Sequence, residues 1–383
     1  MSSTSEKHYS KLKLLAAFLH ASVGMAAVLV TPGVTSRDAL GSVLQPRQVA
    51  CGTVFGYDEL YADPEDPQDL TPHVKRSDIE SLETFAQLVA RAGAAKKITV
   101  CVGTAPMDVT YPTYPEGVKI FDAKEWDYCK DDYTFGVQTR LQVVPRPPNA
   151  KRKTEIYITE HVLEAHLLKE FMKDATASKF CKDLATNGFN TPLTIGGKSQ
   201  TPWNFVASAY PSKDAATASE FNKIIEPVNL VKENAFKLNN VVAASKVKKA
   251  VAEVKDKGRF DQAMFSIKKV IMTYKYMKET EIKNILVKQT NRVANNFEIA
   301  EDTLTKVANS KYKKVNLKTL WLAFMKKRTG EVITNMETFL TTVIADIEKA
   351  AKDGNITDKA LLARIAKLKT EITALKGTWK NPF

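Results

Sequence analysis

From Asn229 to Phe383 apolar residues return every three or four positions, and chain breakers nearly vanish. Only Pro382 of the 16 prolines and four of the 16 glycines lie beyond residue 228. That spacing, with so few turn formers, predicts helix throughout and no strand. Val241, Ala244, Val247, Val251 and Val254 share a face, as do Ile267, Val270, Ile271, Tyr274 and Met277. Ile282, Ile285, Leu286, Val293 and Phe297 follow. Leu317, Leu320, Trp321 and Phe324 open a run that resumes with Ile333, Met336, Leu340, Val343 and Ile347. Leu361, Ile365, Leu368, Ile372 and Leu375 complete the series, and Gly377 supplies a stop. The last run is too short for a coiled coil, so the stripes predict a packed bundle.

Charge changes at the same place. Residues 229–383 hold 31 Lys and Arg against 16 Asp and Glu, a net of +15. Residues 1–228 hold 25 against 27, a net of −2. The shift in charge and in breakers places a domain boundary near Pro227. The 383 residues suffice for two cores.

The N-terminus reads as a secretory signal peptide, residues 1–36. Lys7, Lys11 and Lys13 precede an apolar stretch from Leu14 to Val30, and Val34 and Ser36 suit a cleavage site. The alternatives are a signal anchor or a buried helix. No later stretch is long and apolar enough to span a bilayer, so the mature form is expected to have no transmembrane segment and to be secreted.

On that route the four cysteines, Cys51, Cys101, Cys129 and Cys181, are expected to form disulfides, against the alternative of buried free thiols. Three connectivities exist, and the favoured one is Cys101 with Cys129, leaving Cys51 with Cys181. The spacings of 50, 28 and 52 residues fit no zinc site.

Residues 37–76 are Pro- and Asp-rich and read as an extended pro-segment ending in the dibasic pair Lys75-Arg76. Ser77-Asp78-Ile79-Glu80 then forms a capping box, so cleavage at the pair leaves the next helix intact. A Cys51–Cys181 bond would keep the cleaved peptide attached. Residues 77–228 read as an α+β, cysteine-containing domain. Its expected strands are KKITVCVG at 96–103, RLQVV at 140–144 and EIYIT at 155–159. A helix is expected from about Glu160 to Ala175, and a loop-rich stretch from Thr186 to Pro211. The fold class is therefore an α+β N-terminal domain with disulfides followed by an all-α helical bundle, 229–383.

The densest cluster of functional side chains is Glu160-His161-Val162-Leu163-Glu164-Ala165-His166. On a helix Glu160 and Glu164 share a face, which allows paired-carboxylate acid/base chemistry if a cleft adjoins them. The simpler reading is two carboxylates near a helix N-terminus, each worth about 0.3–1 kcal/mol through the macrodipole. His161 and His166 lie five apart and diverge on a helix, so no metal is expected. Gly196-Gly197-Lys198-Ser199 ends like a phosphate loop, but Pro192 stands where the motif wants glycine, and a turn is the better reading. No cofactor motif is present. Asn355-Ile356-Thr357 is a candidate N-glycosylation acceptor.

The basic half, with Lys246, Lys248, Lys249, Lys255, Lys257 and Lys326-Lys327-Arg328, suits anionic surfaces such as a cell wall or membrane headgroups. A solvated, solubilising lysine face is the plainer alternative. Its aromatic residues fall mostly on the apolar stripes, which gives no stacking platform for specific nucleic-acid binding.

RAGAAKKITVCVG, YPTYPEGVKIF, Trp126-Asp127-Tyr128-Cys129 with Asp131-Asp132-Tyr133, and ITEHVLEAHLLKEFM together span Arg91 to Met172. This stretch resembles the region C-terminal to the catalytic barrel in killer-toxin-like family 18 chitinases of filamentous fungi. VIMTYKYMKETEIKNILVKQTNRV at 270–293 resembles the helical tail of the same proteins. The resemblance implies a secreted fungal protein made as a dibasic-processed precursor. It does not imply chitinase activity, because the family's D-x-x-D-x-D-x-E signature is absent and the chain is too short for a barrel plus this region. Glu160, His161 and Glu164 carry over as family-motif positions without an assigned role. The expected function is that of a secreted, non-enzymatic, toxin-like or effector-like protein. The alternatives are a hydrolase using Glu160 and Glu164, or an intracellular nucleic-acid-associated helical protein.

Overall fold

The computed structural model describes residues 97–113, 123–124, 137–138, 157–212, 215–252, 254 and 257–383, all within one compact unit, Val49–Phe383. The signal segment, the pro-segment with Lys75-Arg76, the capping box, Cys51, Cys129 and the expected strand at 140–144 lie outside the described residues.

β1 (Lys97–Val100) and β2 (Met107–Thr110) form an antiparallel hairpin with Lys97 opposite Thr110. β3 (Ala123–Lys124) and β4 (Val137–Gln138) pair antiparallel. β5 (Tyr157–His161) leads into three short helices: α1 (Leu167–Lys173), α2 (Ala175–Ser178) and α3 (Cys181–Thr186). The expected helix from Glu160 is therefore corrected. Among the described residues the strand spans Tyr157–His161, because the backbone of 157–161 pairs with a later strand and cannot also close helical hydrogen bonds. The stretch expected as loop holds a hairpin and a helix. β6 (Leu193–Ile195) and β7 (Lys198–Gln200) turn through Gly196-Gly197, both at positive φ, which bears out the turn reading there. A Cβ on Gly196 would also lie 2.7 Å from the Phe205 ring. α4 (Pro202–Ala207) follows, with Thr201 as its N-cap.

After α5 (Ala215–Ala218), β8 (Phe221–Ile225) enters the sheet between β5 and β3, in the order β4-β3-β8-β5. It runs antiparallel to β5 and parallel to β3. The chain then passes into α6 (Glu226–Phe236), with Pro227 in the first turn, where its missing N–H is no loss.

Beyond residue 228 every regular element among the described residues is a helix. These are α7 (Ala244–Ala252), α8 (Lys257–Lys278), α9 (Thr280–Lys306), α10 (Leu317–Asp353) and α11 (Lys359–Leu375). α10 is the spine, 37 residues and about 55 Å long. The two apolar runs read on either side of Gly330 are one continuous helix. Trp321, Phe324, Met325, Val332, Met336, Leu340, Val343 and Ile347 line its buried stripe, and α6, α7, α8, α9 and α11 all pack on it.

The core does not stop where composition changes. Phe171 of α1 meets Trp321 edge-on at 5.4 Å and Phe297 of α9 at 5.7 Å. Trp203 of α4 meets Phe297 at 5.8 Å. Sheet-side and helical elements thus share one buried cluster, from Val100 to Trp379.

Cys101 bonds to Cys181, with Cα atoms 5.5 Å apart. This corrects both favoured pairings, Cys101–Cys129 and Cys51–Cys181. The shorter loop to Cys129 has the lower closure cost, but packing of α1 against β1 brings the start of α3 to the end of β1. Cys181 cannot then tether the pro-segment.

The start of α10 depends on a carboxylate from the helix before it. Buried Glu301 accepts from the backbone N–H of Val315, Asn316 and Leu317 at 2.8, 3.1 and 2.8 Å, and from the Tyr312 hydroxyl at 2.8 Å. One side chain thereby satisfies three donors at the head of the spine. Glu301→Ala is expected to cost about 3 kcal/mol in denaturant unfolding, and Tyr312→Phe only about 1 kcal/mol. Equal losses would show that the backbone bonds contribute nothing beyond the tyrosine contact.

Candidate functional site

β5 and β8 place Glu160 opposite Asn222 and His161 opposite Phe221. Because α6 starts directly after β8, its second turn lies near the end of β5. That turn carries Lys232, and its ammonium is wholly enclosed. Nζ contacts Glu160 Oε1, lies 2.7 Å from Glu164 Oε1 and donates to the His161 carbonyl oxygen at 2.6 Å. Two hydrogen-bond acceptors and a second carboxylate thus surround the ammonium and oppose its charge, as burial demands.

The second oxygen of Glu160 accepts from the Tyr276 hydroxyl of α8 at 2.7 Å. Tyr111 donates to the Ala165 carbonyl at 2.6 Å, and its ring meets Tyr210 edge-on at 4.9 Å. The His161 ring lies 5.0 Å from that of Phe221. At the outer edge His166 Nδ1 is 3.6 Å from Glu164 Oε2, and both side chains are 13% exposed.

Glu160, Lys232 and Tyr276 each hold a proton more tightly than usual. Burial pushes the Glu160 carboxyl up and the Glu164 charge adds to this, against the opposing pull of Lys232 and Tyr276. Burial pulls the Lys232 ammonium down, but the two carboxylates outweigh it and its pKa is raised. Both directions favour the protonated forms of Glu160 and Lys232. Burial and Glu160 likewise push the Tyr276 hydroxyl well up.

This corrects the helix-dipole reading of Glu160 and Glu164. The two carboxylates come together around a buried lysine, from a strand and from the turn after it. His161 ends β5 and His166 precedes α1, and among the described residues no group of three or more His, Cys, Asp or Glu is arranged to hold a metal. Acid/base chemistry on an outside substrate needs both carboxyls at a cleft, whereas the space between these two is filled by Lys232.

A second cluster adjoins the first. Glu220 accepts from both terminal nitrogens of Arg292 at 2.5 and 2.6 Å, from Gln289 at 3.2 Å, and pairs with Lys288 at 3.0 Å. Gln289 also accepts from the Leu163 N–H at 2.9 Å, so one α9 side chain joins the two clusters. Lys232, Tyr276, Glu220 and Arg292 escaped the sequence reading. Lys232 had one signal: it sits in the apolar stripe of Val228, Val231, Ala235 and Phe236 on α6. The others reach their partners from segments far away in the chain, with no local pattern.

Asn355 lies exposed at φ 50° on the turn between α10 and α11. The apolar groove of about 540 Å³ beside it, lined by Ala351, Ile356, Leu362 and Ile365, includes no residue of the Lys232 cluster. Comparisons with protein-family models, with curated proteins and with solved structures each found no match to this chain.

Burial raises the Glu220 carboxyl, but its bonds to Arg292, Lys288 and Gln289 outweigh this and hold it below its ordinary value. A depressed carboxyl contributes stability that is present above the unfolded pKa, near 4.5, and is lost as pH falls through the folded value. Glu220→Gln is therefore expected to lower stability at neutral pH and to flatten its decline below about pH 4.5. An unchanged acid slope in urea unfolding would remove Glu220 from that role.

Proposed function

We propose that this protein is a secreted, non-enzymatic, toxin-like or effector-like fungal protein that binds an anionic cell surface through its basic helical part. It would be a stand-alone counterpart of the region that follows the barrel in killer-toxin-like family 18 chitinases. The observation that carries the binding role is the tip between α9 and α10. There Lys306, Lys311 and Lys313 are exposed together with Val307, while buried Tyr312 and Glu301 anchor the loop from beneath. Left-handed Asn309 and Asn316 shape it. Lysines beside an exposed apolar residue, on a tip anchored from within, suit an anionic surface.

The Cys101–Cys181 bond supports an oxidising route, and exposed Asn355 is placed for glycosylation on that route. The enclosure of Glu160 and Lys232 supports a structural role for the EHVLE motif. The hydrolase alternative keeps one observation in its favour, the partly exposed Glu164–His166 pair. For the nucleic-acid alternative, Tyr274, Tyr276, Phe297, Tyr312, Trp321 and Trp379 are all buried and give no stacking face.

Co-sedimentation with vesicles of anionic phospholipid and with acidic wall polysaccharide tests the reading. At low salt the protein should bind one or both and release at about 1 M salt, where the Debye length is about 3 Å. Replacing Lys306, Lys311 and Lys313 by Glu should weaken binding on the order of 100-fold, at about 1 kcal/mol per lysine. Binding to neither, or binding indifferent to salt, would sink the proposal. Glu164→Gln should leave it unchanged.

A further inference from the structure

We propose that Lys232 and Glu160 condense to form an intramolecular amide, an isopeptide bond joining β5 to α6, with Glu164 as the proton carrier. The bond goes beyond surface binding and is independent of it. An amine and a carboxyl group are held in contact across 72 residues of sequence, with side chains 0% and 1% exposed. Confinement of this kind replaces a bimolecular encounter by a permanent one. A site without water favours uncharged reactants and keeps the acyl group from competing hydrolysis.

Each accompanying group has a place in the reaction. Glu164 Oε1 lies 2.7 Å from Nζ, within reach of its protons. The Tyr276 hydroxyl, 2.7 Å from Glu160 Oε2, is placed to stabilise negative charge developing on that oxygen. The His161 carbonyl, 2.6 Å from Nζ, accepts the N–H that the amide keeps. The reaction starts from the microstate in which Glu160 is the acid, Glu164 the carboxylate and Lys232 the ammonium, a set with no net charge.

Glu164 takes one proton from the ammonium. The freed amine attacks Glu160 Cδ, forming the C–N bond and moving the carbonyl electron pair onto Oε2. A second nitrogen proton passes through Glu164 to Oε1, the Cδ–Oε1 bond breaks and water leaves. The products are an amide, one water and protonated Glu164. Charge and protons balance, and no oxidant, metal or cofactor takes part. Such a bond also survives reductant, unlike Cys101–Cys181.

Mass spectrometry of the full chain, reduced and denatured, tests this directly. The expected intact mass is one water below that of the sequence. Proteolysis should release a branched peptide joining the Glu160 segment to the Lys232 segment. Lys232→Arg keeps the cation without the nucleophilic amine and should return the full mass. Glu164→Gln should fold with unchanged circular dichroism and also show the full mass. A wild-type chain at full mass, with the two segments in separate peptides, overturns the proposal. So does a water loss that maps to a succinimide at Asp353-Gly354. A branched peptide undiminished in Glu164→Gln overturns the proton-carrying role.

Discussion

While it is an ammonium, a lysine side chain with no access to water needs acceptors and opposing charge, and Lys232 sets that condition as the molecule folds. Its partners come from the end of β5, from the turn that follows and from the backbone between them. Removing one member of a buried pair typically costs about 3–5 kcal/mol, against a total stability of about 5–15 kcal/mol. The position of α6 on the sheet is therefore set by a polar contact as much as by the apolar stripe around it.

The other buried charges extend the same arrangement. Gln289 links the Lys232 cluster to Glu220 and Arg292, and Arg292 also donates to the Ala209 carbonyl at 2.8 Å. Glu301 fixes the head of α10, and Arg328 of the same helix donates to the Phe236 carbonyl that ends α6, at 2.6 Å. All but the Glu301 contact run between segments distant in sequence. With the aromatic cluster of Phe171, Phe297, Trp203 and Trp321, they make one core from two compositionally different halves.

The legible part of the fold was whatever repeats locally. Stripes such as Leu361, Ile365, Leu368, Ile372 and Leu375 announce a helix because one face must be buried whatever it packs against, and all five are buried. The glycine pair at 196–197 announces a turn by its conformational freedom. Glu160-His161-Val162-Leu163-Glu164 is different. Its letters suit a helix as well as a strand, and the decision belongs to β8, some sixty residues later. Read as helix, the segment puts Glu160 and Glu164 on one face near an N-terminus, and nothing in it points to a shared lysine. The cysteine pairing failed for the same reason, since the nearer partner in the chain was not the nearer one in the fold.

Residues that look like catalytic carboxylates here serve the interior, and the proposed surface role falls to lysines elsewhere. The central claim is that the Lys232 cluster locks β5 to α6 as part of the cooperative core. Native-state hydrogen exchange tests it most directly. The account predicts that the amides of Ile158–His161 and of Val231–Phe236 exchange only through global unfolding, with the same free energy as the buried turns of α9 and α10. Exchange of either segment through a separate, lower-energy opening would contradict it.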